Sequence, residues 1–333
     1  MAKKATLQDV ADYLQVSKSA VSHALSGRRK VSPELSRRLQ KAVAELGYRP
    51  NFAARVLKSH STGLVGVAVN ELDNPHTVSL INELSHELKK SGYSLTLCLA
   101  DSPEPEECRN LIRRISNGMV DAIINMLPQL SVEDAQAAAD GTPILTYRRH
   151  KHSPIVLDYG YGIVQALDYL TGIGHERIGL ISVARICHGE PDPREVAYRS
   201  YMEKKGTYDP ALIHPGSGDV ASGYDGMQAF SALSERPGAI LAGNDLIASG
   251  VFQWAHENRL RLPEDLSVIG FDNSLLAMAL YPRLTSIDMC APRIATHTAR
   301  VLLTMIDGQE EELPSIEIKP QLVLRDSCHS HKR

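Results

Sequence analysis

The chain of 333 residues lacks the long apolar segments and the cysteine spacing of membrane and disulfide-rich proteins. No apolar run approaches the roughly 20 residues that span a bilayer, and no apolar signal core follows the lysines at positions 3 and 4. The five cysteines are odd in number and form no CxxC pair, which is typical of reduced thiols. These absences predict a cytoplasmic protein with no membrane partner.

Sequence signatures of catalysis are also missing. GxxxxGK[ST], HExxH and GxSxG do not occur, and no paired-carboxylate motif is present. The segment 172–179 resembles a dinucleotide fingerprint, but it follows a predicted helix and precedes a predicted strand, which is the reverse of the required order. The donors in 328–331 (Cys-His-Ser-His) lie close together on a polar terminus, where disorder is more common than a metal site. We therefore predict no cofactor, no metal and no enzymatic activity.

Charge divides the chain into two parts. Residues 1–62 hold twelve Lys and Arg against four acidic residues, a net charge of +8, whereas the remainder holds 24 against 35, a net charge of −11. A basic segment is the electrostatic footprint of phosphate-backbone binding, and an acidic segment is repelled by that backbone. We expect nucleic acid to contact only the first sixty or so residues.

The segment 6–25 predicts two short helices joined by a tight turn. Thr6 caps the first helix, Asp9 reaches back to it, and apolar residues recur at helical spacing on one face. Ser17 caps the second helix, whose outer face carries Lys18, Ser19, Ser22 and His23. These side chains are suited to reading base edges, although the same pattern also fits an amphipathic hairpin that packs on a larger domain.

A third helix and a hinge follow. Arg28 and Arg29 lie in a basic loop, and the Ser-Pro pair at 32–33 begins a helix that ends at Gly47. The segment 51–58 is too short to be a stable helix alone in water. It is a hinge candidate that folds only when something holds it, and it carries Leu57, an apolar side chain suited to wedging a base step in the minor groove.

From residue 63 apolar runs alternate with amphipathic helices, as in parallel sheets covered on both faces. Strands are predicted at 64–69, 94–99, 120–126, 143–147, 154–158, 177–183, 238–242 and 266–271. Helices are predicted at 75–91, 104–117, 131–140, 159–173, 194–205, 221–235, 244–259 and 291–307. The unit repeats twice, which indicates two doubly wound lobes with a ligand cleft at the carboxyl ends of the strands. That edge places ligand contacts at 70–76, 148, 158, 244–245 and 272–273.

An ordered series of motifs resembles the LacI/GalR family of transcription regulators over essentially the whole chain. The matching segments are Thr-Leu-x-Asp-Val-Ala from position 6, Val-Ser-x-x-x-Val-Ser from 16, Leu-Gly-Tyr-x-Pro-Asn from 46, Ala-Arg-x-Leu from 54, Gly-His-x-Arg-Ile-Gly from 174, Gly-Asn-Asp from 243, Ile-Gly-Phe-Asp from 269 and Pro-Arg-Leu-Thr from 282. The resemblance implies an all-α helix-turn-helix head (1–60, with a hinge helix at about 51–58) and a two-lobed parallel-sheet α/β body (61–333) of the type I periplasmic-binding-protein fold.

Partners and sites are also implied by the resemblance. It implies a homodimer or homotetramer, a pseudo-palindromic double-stranded operator, and a sugar, polyol or sugar acid that controls operator affinity, most simply for a repressor. The implied DNA contacts are Thr6, Ser17, Lys18, Ser19, Ser22, His23, Arg28, Arg29, Asn51, Ala54 and Leu57. The implied effector contacts are Arg194, Asn244 and Asp272, with Asp158, Arg148 and His76 in loops of the pocket wall. A lobe-bridging ion pair or a helix cap is the alternative role for each of the first three.

Two departures from the family pattern affect specificity. His23 stands where most members carry Arg, and neutral imidazole cannot give a guanine two donors, so we expect weaker discrimination at the facing base. The segment 148–152 (Arg-Arg-His-Lys-His) is unusually basic, which favours either a solvated loop or an anionic effector. Effector identity, operator sequence and the direction of control stay open at this stage.

Two other function classes fit the same cleft. A solute-binding protein for a transporter is disfavoured by the missing signal segment and the +8 head. A sugar-converting enzyme is disfavoured because no nucleophile, base or metal constellation is present.

Overall fold

The computed structural model describes residues 5–25, 32–48, 61–147, 154–183, 191–309 and 315–330. The chain forms two compact units, Met1–Thr62 and Gly63–Arg333. We refer to them as the head and the body. The predicted basic loop at 28–29, the hinge at 51–58 and the basic segment at 148–152 lie outside the described residues.

The described head contains α1 (Leu7–Leu14), α2 (Lys18–Leu25) and α3 (Pro33–Leu46). The predicted capping box at Thr6 is confirmed, because the Asp9 amide donates to Thr6 Oγ1 at 3.3 Å and the Thr6 amide donates to Asp9 Oδ2 at 2.7 Å. Gln15 ends α1 in the left-handed conformation at a φ of 55° and thereby makes the turn into α2. The three helices bury one small apolar core, formed by Val10, Ala11, Leu14, Val21, Leu39 and Ala42.

The first lobe of the body is a four-stranded parallel sheet in the order β2-β1-β3-β4. Its strands are β1 (Leu64–Val69), β2 (Ser94–Leu99), β3 (Ala122–Asn125) and β4 (Ile144–Thr146). The connecting helices are α4 (Pro75–Lys90), α5 (Pro105–Ser116) and α6 (Val132–Ala139). Strand β1 is almost fully buried because helices cover both faces of the sheet, which explains its continuous apolar run.

The second lobe is a six-stranded sheet in the order β12-β10-β9-β8-β6-β7, parallel except for β12. Its strands are β6 (Ile178–Val183), β7 (Ile213–Gly216), β8 (Ala239–Ala242), β9 (Ser267–Phe271), β10 (Thr285–Asp288) and β12 (Gln321–Val323). Its helices are α7 (Tyr159–Gly172), α8 (Pro193–Lys205), α9 (Val220–Ser231), α10 (Asp245–Glu257) and α11 (Leu275–Ala279).

The chain passes between the lobes three times. Strand β5 (Ile155–Leu157) pairs with β11 (Ile316–Ile318) in a separate two-stranded sheet at the crossings. Helix α12 (Ala291–Ile306) follows the second-lobe strand β10 but returns to pack on α4 of the first lobe. Tyr147 at the end of β4 bonds Thr298 of α12 at 2.9 Å, which ties the returning helix to the first sheet.

All eight predicted strands and all eight predicted body helices are present. Four short strands (213–216, 285–288, 316–318 and 321–323) and the helix at 275–279 were not predicted. The expectation of disorder in the C-terminal segment 328–331 is wrong for its described residues 328–330, where the His329 amide donates to Ser267 Oγ at 2.9 Å. Ser327 is fully buried, its Oγ donates to the Val268 carbonyl at 2.6 Å, and the Val268 amide donates to the Ser327 carbonyl at 2.8 Å, so this segment is bonded to β9.

Among the described residues, no helix is long and apolar enough to cross a bilayer. Four of the five cysteines are described, and all four are free thiols. The segment 172–179 is a turn from α7 into β6, as predicted, with Gly174 at a φ of 100°.

Candidate DNA and effector sites

The outer face of α2 presents polar side chains to solvent. Lys18, Ser19 and His23 are exposed, whereas Val21 on the opposite face is buried in the core of the head. Ser17 accepts a hydrogen bond from the Ala20 amide at 3.2 Å and so caps the helix. The position of α2 is therefore fixed by its apolar face and its cap, and its polar face is open for contact with DNA.

Other predicted DNA contacts divide into those that the structure places and those outside it. The side chain of Thr6 is engaged in the cap of α1, where Oγ1 also donates to Asp9 Oδ2 at 2.8 Å. The backbone of Ser22 lies in α2, but its side chain is outside the described part. All atoms of the remaining predicted DNA contacts also lie outside the described part: Arg28, Arg29, Asn51, Ala54 and Leu57.

The carboxyl ends of the two large sheets face one cleft in the body. A cavity of about 430 Å³ lies at this edge and is lined by Asn70, Glu71, Ala100, Asp101, Ser102, Pro103, Pro128, Gln129 and Ser217. All but Ser217 belong to the first lobe, so the cavity opens between the lobes. Its polar lining includes the Asn70 amide, which donates to Gln129 Oε1 at 2.7 Å.

Arg194 lies in the first turn of α8, where the guanidinium is held in a fixed orientation. Its Nε and Nη2 donate to the two carboxylate oxygens of Asp192 at 2.9 and 2.6 Å, and its Nη1 donates to the Gly243 carbonyl at 2.7 Å. Burial by itself lowers the pKa of Arg194, but the charge and hydrogen bonds of Asp192 outweigh burial and raise that pKa. Among the described residues these bonds use three of its five N–H groups, which leaves two for a ligand.

Two aromatic rings support this guanidinium. Tyr159 and Phe271 are stacked with ring centroids 5.8 Å apart. The Arg194 guanidinium carbon lies 5.6 Å from the centroid of Tyr159 and 5.4 Å from that of Phe271. Cation–π contact and stacking therefore add to the ion pair with Asp192.

Asp272 follows β9 and joins the two lobes. Its Oδ2 accepts a hydrogen bond from Asn74 Nδ2 at 3.2 Å, and Asn74 in turn caps α4 of the first lobe by accepting from the His76 amide at 2.7 Å. Asp272 has a φ of 99° and Asn273 a φ of 50°, conformations that side chains with a Cβ rarely adopt. The structure thus brings Asp272, Arg194 and Asn74 to the same edge of the cleft.

Asn244 is occupied as a helix cap. Its Oδ1 accepts from the Ile247 amide at 2.8 Å, and its Nδ2 donates to the Gly218 carbonyl at 2.7 Å. The side chain is buried, so its bonds fix the start of α10 beside the cleft. This geometry matches the alternative role that the sequence left open.

The remaining predicted effector contacts lie at the ends of helices. Asp158 caps α7 by accepting from the Tyr161 amide at 3.0 Å, and His76 lies half-buried in the first turn of α4. Arg148 lies outside the described residues.

Asp192, Tyr159 and Phe271 were not identified from the sequence. The Asp-Pro pair at 192–193 is a cap followed by a proline at the first helical position, a signal that predicts a capping carboxylate but not its ion pair with Arg194. Tyr159 belongs to no motif, and Phe271 lies inside the Ile-Gly-Phe-Asp motif from 269, where the motif does not indicate its contact with Arg194.

A helix-turn-helix head followed by a two-lobed α/β body with a cleft defines a class of ligand-responsive DNA-binding proteins. Family comparison agrees with both parts. Residues 6–51 match the family model described as bacterial regulatory proteins, lacI family, and residues 167–328 match that of a periplasmic binding protein-like domain. The chain therefore carries a DNA-binding head of the lacI family and a periplasmic binding protein-like body, and is a DNA-binding transcriptional regulator with an effector-binding body.

Similar proteins span the whole chain. The HTH-type transcriptional repressor PurR of Pasteurella multocida is 29% identical over 98% of this chain and 99% of its own length. The ribose operon repressor of Haemophilus influenzae is 28% identical over 98% of this chain and 100% of its own. A lac repressor dimer solved with operator and the anti-inducer ONPF has a TM-score of 0.86 at 24% identity, and covers 98% of this chain and 100% of its own. The regulator CelR in complex with cellobiose has a TM-score of 0.69 at 24% identity, and covers 97% and 99%.

Proposed function

We propose that this chain is a cytoplasmic repressor without catalytic activity, whose affinity for its operator is controlled by a small carbohydrate bound in the cleft of the body. The observation that carries the proposal is the group formed by Arg194, Asp272 and Asn74 at the cleft edge. A rigidly held guanidinium next to a carboxylate offers paired donors and acceptors for the adjacent hydroxyls of a sugar or polyol.

The relatives support this class of ligand. One is named as a ribose operon repressor, and one structural neighbour was solved with cellobiose. The cavity at this edge, whose lining does not include Arg194, Asp272 or Asn74, has the carboxylates of Glu71 and Asp101 as its charged side chains. A neutral sugar or polyol fits these groups better than a sugar acid or sugar phosphate does.

We further propose that the working form is a homodimer on a pseudo-palindromic operator, because one recognition helix reads one half-site. Large apolar side chains near α11 support a subunit interface: Leu275 is 84% exposed, Met278 55% and Tyr281 94%. Sedimentation of wild type and Tyr281→Lys tests this interface, since a shift of the variant toward monomer supports it and an unchanged dimer contradicts it.

A ligand screen tests the effector proposal. The purified chain is heated with single members of a panel that contains ribose, cellobiose, other pentoses and hexoses, polyols, sugar acids and nucleobases. A ligand that binds only the folded state raises the melting temperature by mass action. Operator DNA is enriched from random duplexes, and its affinity is then measured with and without each hit. The proposal fails if no carbohydrate raises the melting temperature or changes operator affinity.

Arg194→Lys and Asp272→Asn then test the site. Lysine keeps the charge but loses the forked donors, and asparagine keeps the shape but loses the charge, so we expect the hit ligand to bind about 2–5 kcal/mol more weakly to each variant. Operator binding without ligand should persist. The matched control is Arg199→Lys, an exposed position on the same helix whose guanidinium pairs with Glu195. Wild-type affinity in both site variants would show that the ligand binds elsewhere.

A further inference from the structure

A buried carboxylate lies beneath the loop that carries Asp272. Asp245, the first residue of α10, is only 1% exposed. Its Oδ2 accepts a hydrogen bond from the Ser274 amide at 2.6 Å, and its Oδ1 accepts one from Ser286 Oγ at 2.6 Å. Short bonds of this kind are needed, because a carboxylate removed from water is costly unless it is fully bonded.

The loop above it has an unfavourable backbone conformation. Asp272 and Asn273 are consecutive non-glycine residues at positive φ, and such conformations persist only where surrounding contacts hold them. The Asn273 amide donates to Ser286 Oγ at 3.0 Å, so the Ser286 hydroxyl bridges the Asn273 amide of the loop and the Asp245 carboxylate. From the other side, Arg325 Nη2 donates to Asn273 Oδ1 at 2.6 Å.

We infer that Asp245 is a positioning residue for effector binding, whose ionised carboxylate holds residues 272–274 in the conformation that presents Asp272 to the cleft. The inference rests on the proposed function for the meaning of Asp272, and it adds a dependence of the effector site on the charge state of a residue below it. Asp245 itself is too deeply buried to contact the ligand.

Protonation of Asp245 reverses one of the two bonds. A proton on Oδ1 must be donated to Ser286 Oγ, and the serine, which already accepts from Asn273, then has to direct its own proton to a new acceptor. Burial first, and the charge of Asp272 second, raise the pKa of Asp245 to about 7. The change therefore falls in the neutral pH range.

Few charged groups face this carboxylate. Asp272 approaches from the loop after β9, and Arg325 approaches through Asn273. Strands β8 and β9 and helix α11 carry no charged residue, Asp288 of β10 accepts from the Cys290 amide, and Asp225 of α9 is exposed. A change in the protection of the loop amides in the neutral pH range is therefore assigned to protonation of the Asp245 carboxylate.

Amide hydrogen exchange of the ligand-free protein tests the inference. Exchange is followed between pH 5.5 and 8 and corrected for the intrinsic rate. The protection of the amides of 273–274 in wild type should rise severalfold through about pH 7, whereas in Asp245→Asn it should stay low at every pH. Asp225→Asn, with its exposed carboxyl group, is the matched control and should behave as wild type.

Ser286→Ala serves as a second variant that adds no charge change, because it removes the bridging hydroxyl while Asp245 keeps the Ser274 bond. It should lower the protection at 273 more than at 274. Protection of the loop that is independent of pH in wild type, or a pH dependence that Asp245→Asn retains, overturns the inference. Since no ligand is present, this result is separate from any failure of the carbohydrate proposal.

Discussion

Asn244 lies at a predicted position in the cleft and also caps helix α10. Both ends of its amide are bonded within the protein, to the Ile247 amide and the Gly218 carbonyl. Its first role is therefore to fix the start of α10, and any ligand contact has to use the capacity that remains on the same atoms.

Substitution of Asn244 separates these roles. Asn244→Ala should lower the free energy of unfolding by about 1–2 kcal/mol, because it leaves the buried Ile247 amide unbonded. Asn244→Ser keeps an oxygen that can cap the helix but loses the donor to Gly218, so it should recover part of that loss. Urea denaturation followed by the fluorescence of Trp254, the single tryptophan, which is buried in α10, measures both. Equal stability of wild type and both variants would show that the Asn244 cap does not stabilise the fold.

Asp245 makes stability depend on pH in a defined direction. Its pKa of about 7 in the folded state lies above the value of about 3.9 in an unfolded chain, so the folded state binds the proton more tightly. The buried charge is therefore costly to the fold as a whole, although the ionised carboxylate accepts the two bonds from Ser274 and Ser286. The contribution of Asp245 to the free energy of unfolding is complete below about pH 4 and is lost as pH rises to about 7.

We expect the free energy of unfolding of wild type, relative to Asp245→Asn, to fall by a few kcal/mol, on the order of 1.4 per pKa unit, between about pH 4.5 and 7.5. Urea titrations at several pH values in this range give the difference. A difference between the two proteins that does not change with pH would mean that Asp245 has the same proton affinity in the folded and the unfolded state.

At the scale of elements, helices α9 and α10 approach each other at two glycines. A Cβ added to Gly223 would lie 1.9 Å from the Ile247 carbonyl oxygen, and one added to Gly250 would lie 1.9 Å from that of Val220. Both obstacles are backbone atoms, which cannot move aside as a flexible side chain can. The two residues therefore set the distance between these helices, and α10 begins with Asn244 and Asp245.

Gly223→Ala should consequently lower the free energy of unfolding by about 1–3 kcal/mol or more, because the helices must separate. Gly172→Ala is the matched control: this glycine ends α7, its Cβ would meet no atom within 4 Å, and its φ is not positive. The control should be neutral or more stable by up to about 1 kcal/mol. Similar losses in both variants would point to a general intolerance of alanine rather than to close packing.

The elements that could be predicted are those with a long apolar pattern. Buried runs such as 64–69 and capped helices such as 75–90 carry their signal locally. The strand at 213–216 contains a proline at the edge of a sheet, and those at 316–318 and 321–323 have three residues each, so their pairing depends on distant partners.

The candidate site shows the same division. The position after a predicted strand indicated Asp272 as a candidate, because strand ends in such sheets meet at one edge, whereas Arg194 was indicated only by the family resemblance. The bond from Asn74 to Asp272 joins residues 198 positions apart. Asp192, which pairs with Arg194, has the sequence pattern of an ordinary helix cap. Such pairings are set by the packing of the lobes and leave no local pattern in the sequence.

At the scale of the whole molecule, His23 is a candidate for base discrimination in the operator, because it is exposed on the outer face of α2. A histidine side chain cannot give a guanine the two forked donors of an arginine, so His23→Arg should strengthen the preference for one base at the facing position of each half-site. Operator titrations with each base at each position compare wild type with His23→Arg, and His86→Arg, exposed on α4 of the body, is the control. Unchanged preference at every position in His23→Arg would show that His23 does not read a base.

The three crossings between the lobes also determine the order in which a nascent chain can fold. The first lobe takes α12 from the far end of the chain, strand β5 between the lobes takes β11, and the second lobe takes β12 and the buried Ser327. The first lobe lacks a part until residue 306 has been synthesised and the second until residue 327, whereas the three described helices of the head are complete after residue 46. A chain that stops early in the body would thus carry a DNA-binding head with neither an effector site nor the apolar face at 275–281, and would meet DNA as a single head that does not respond to ligand.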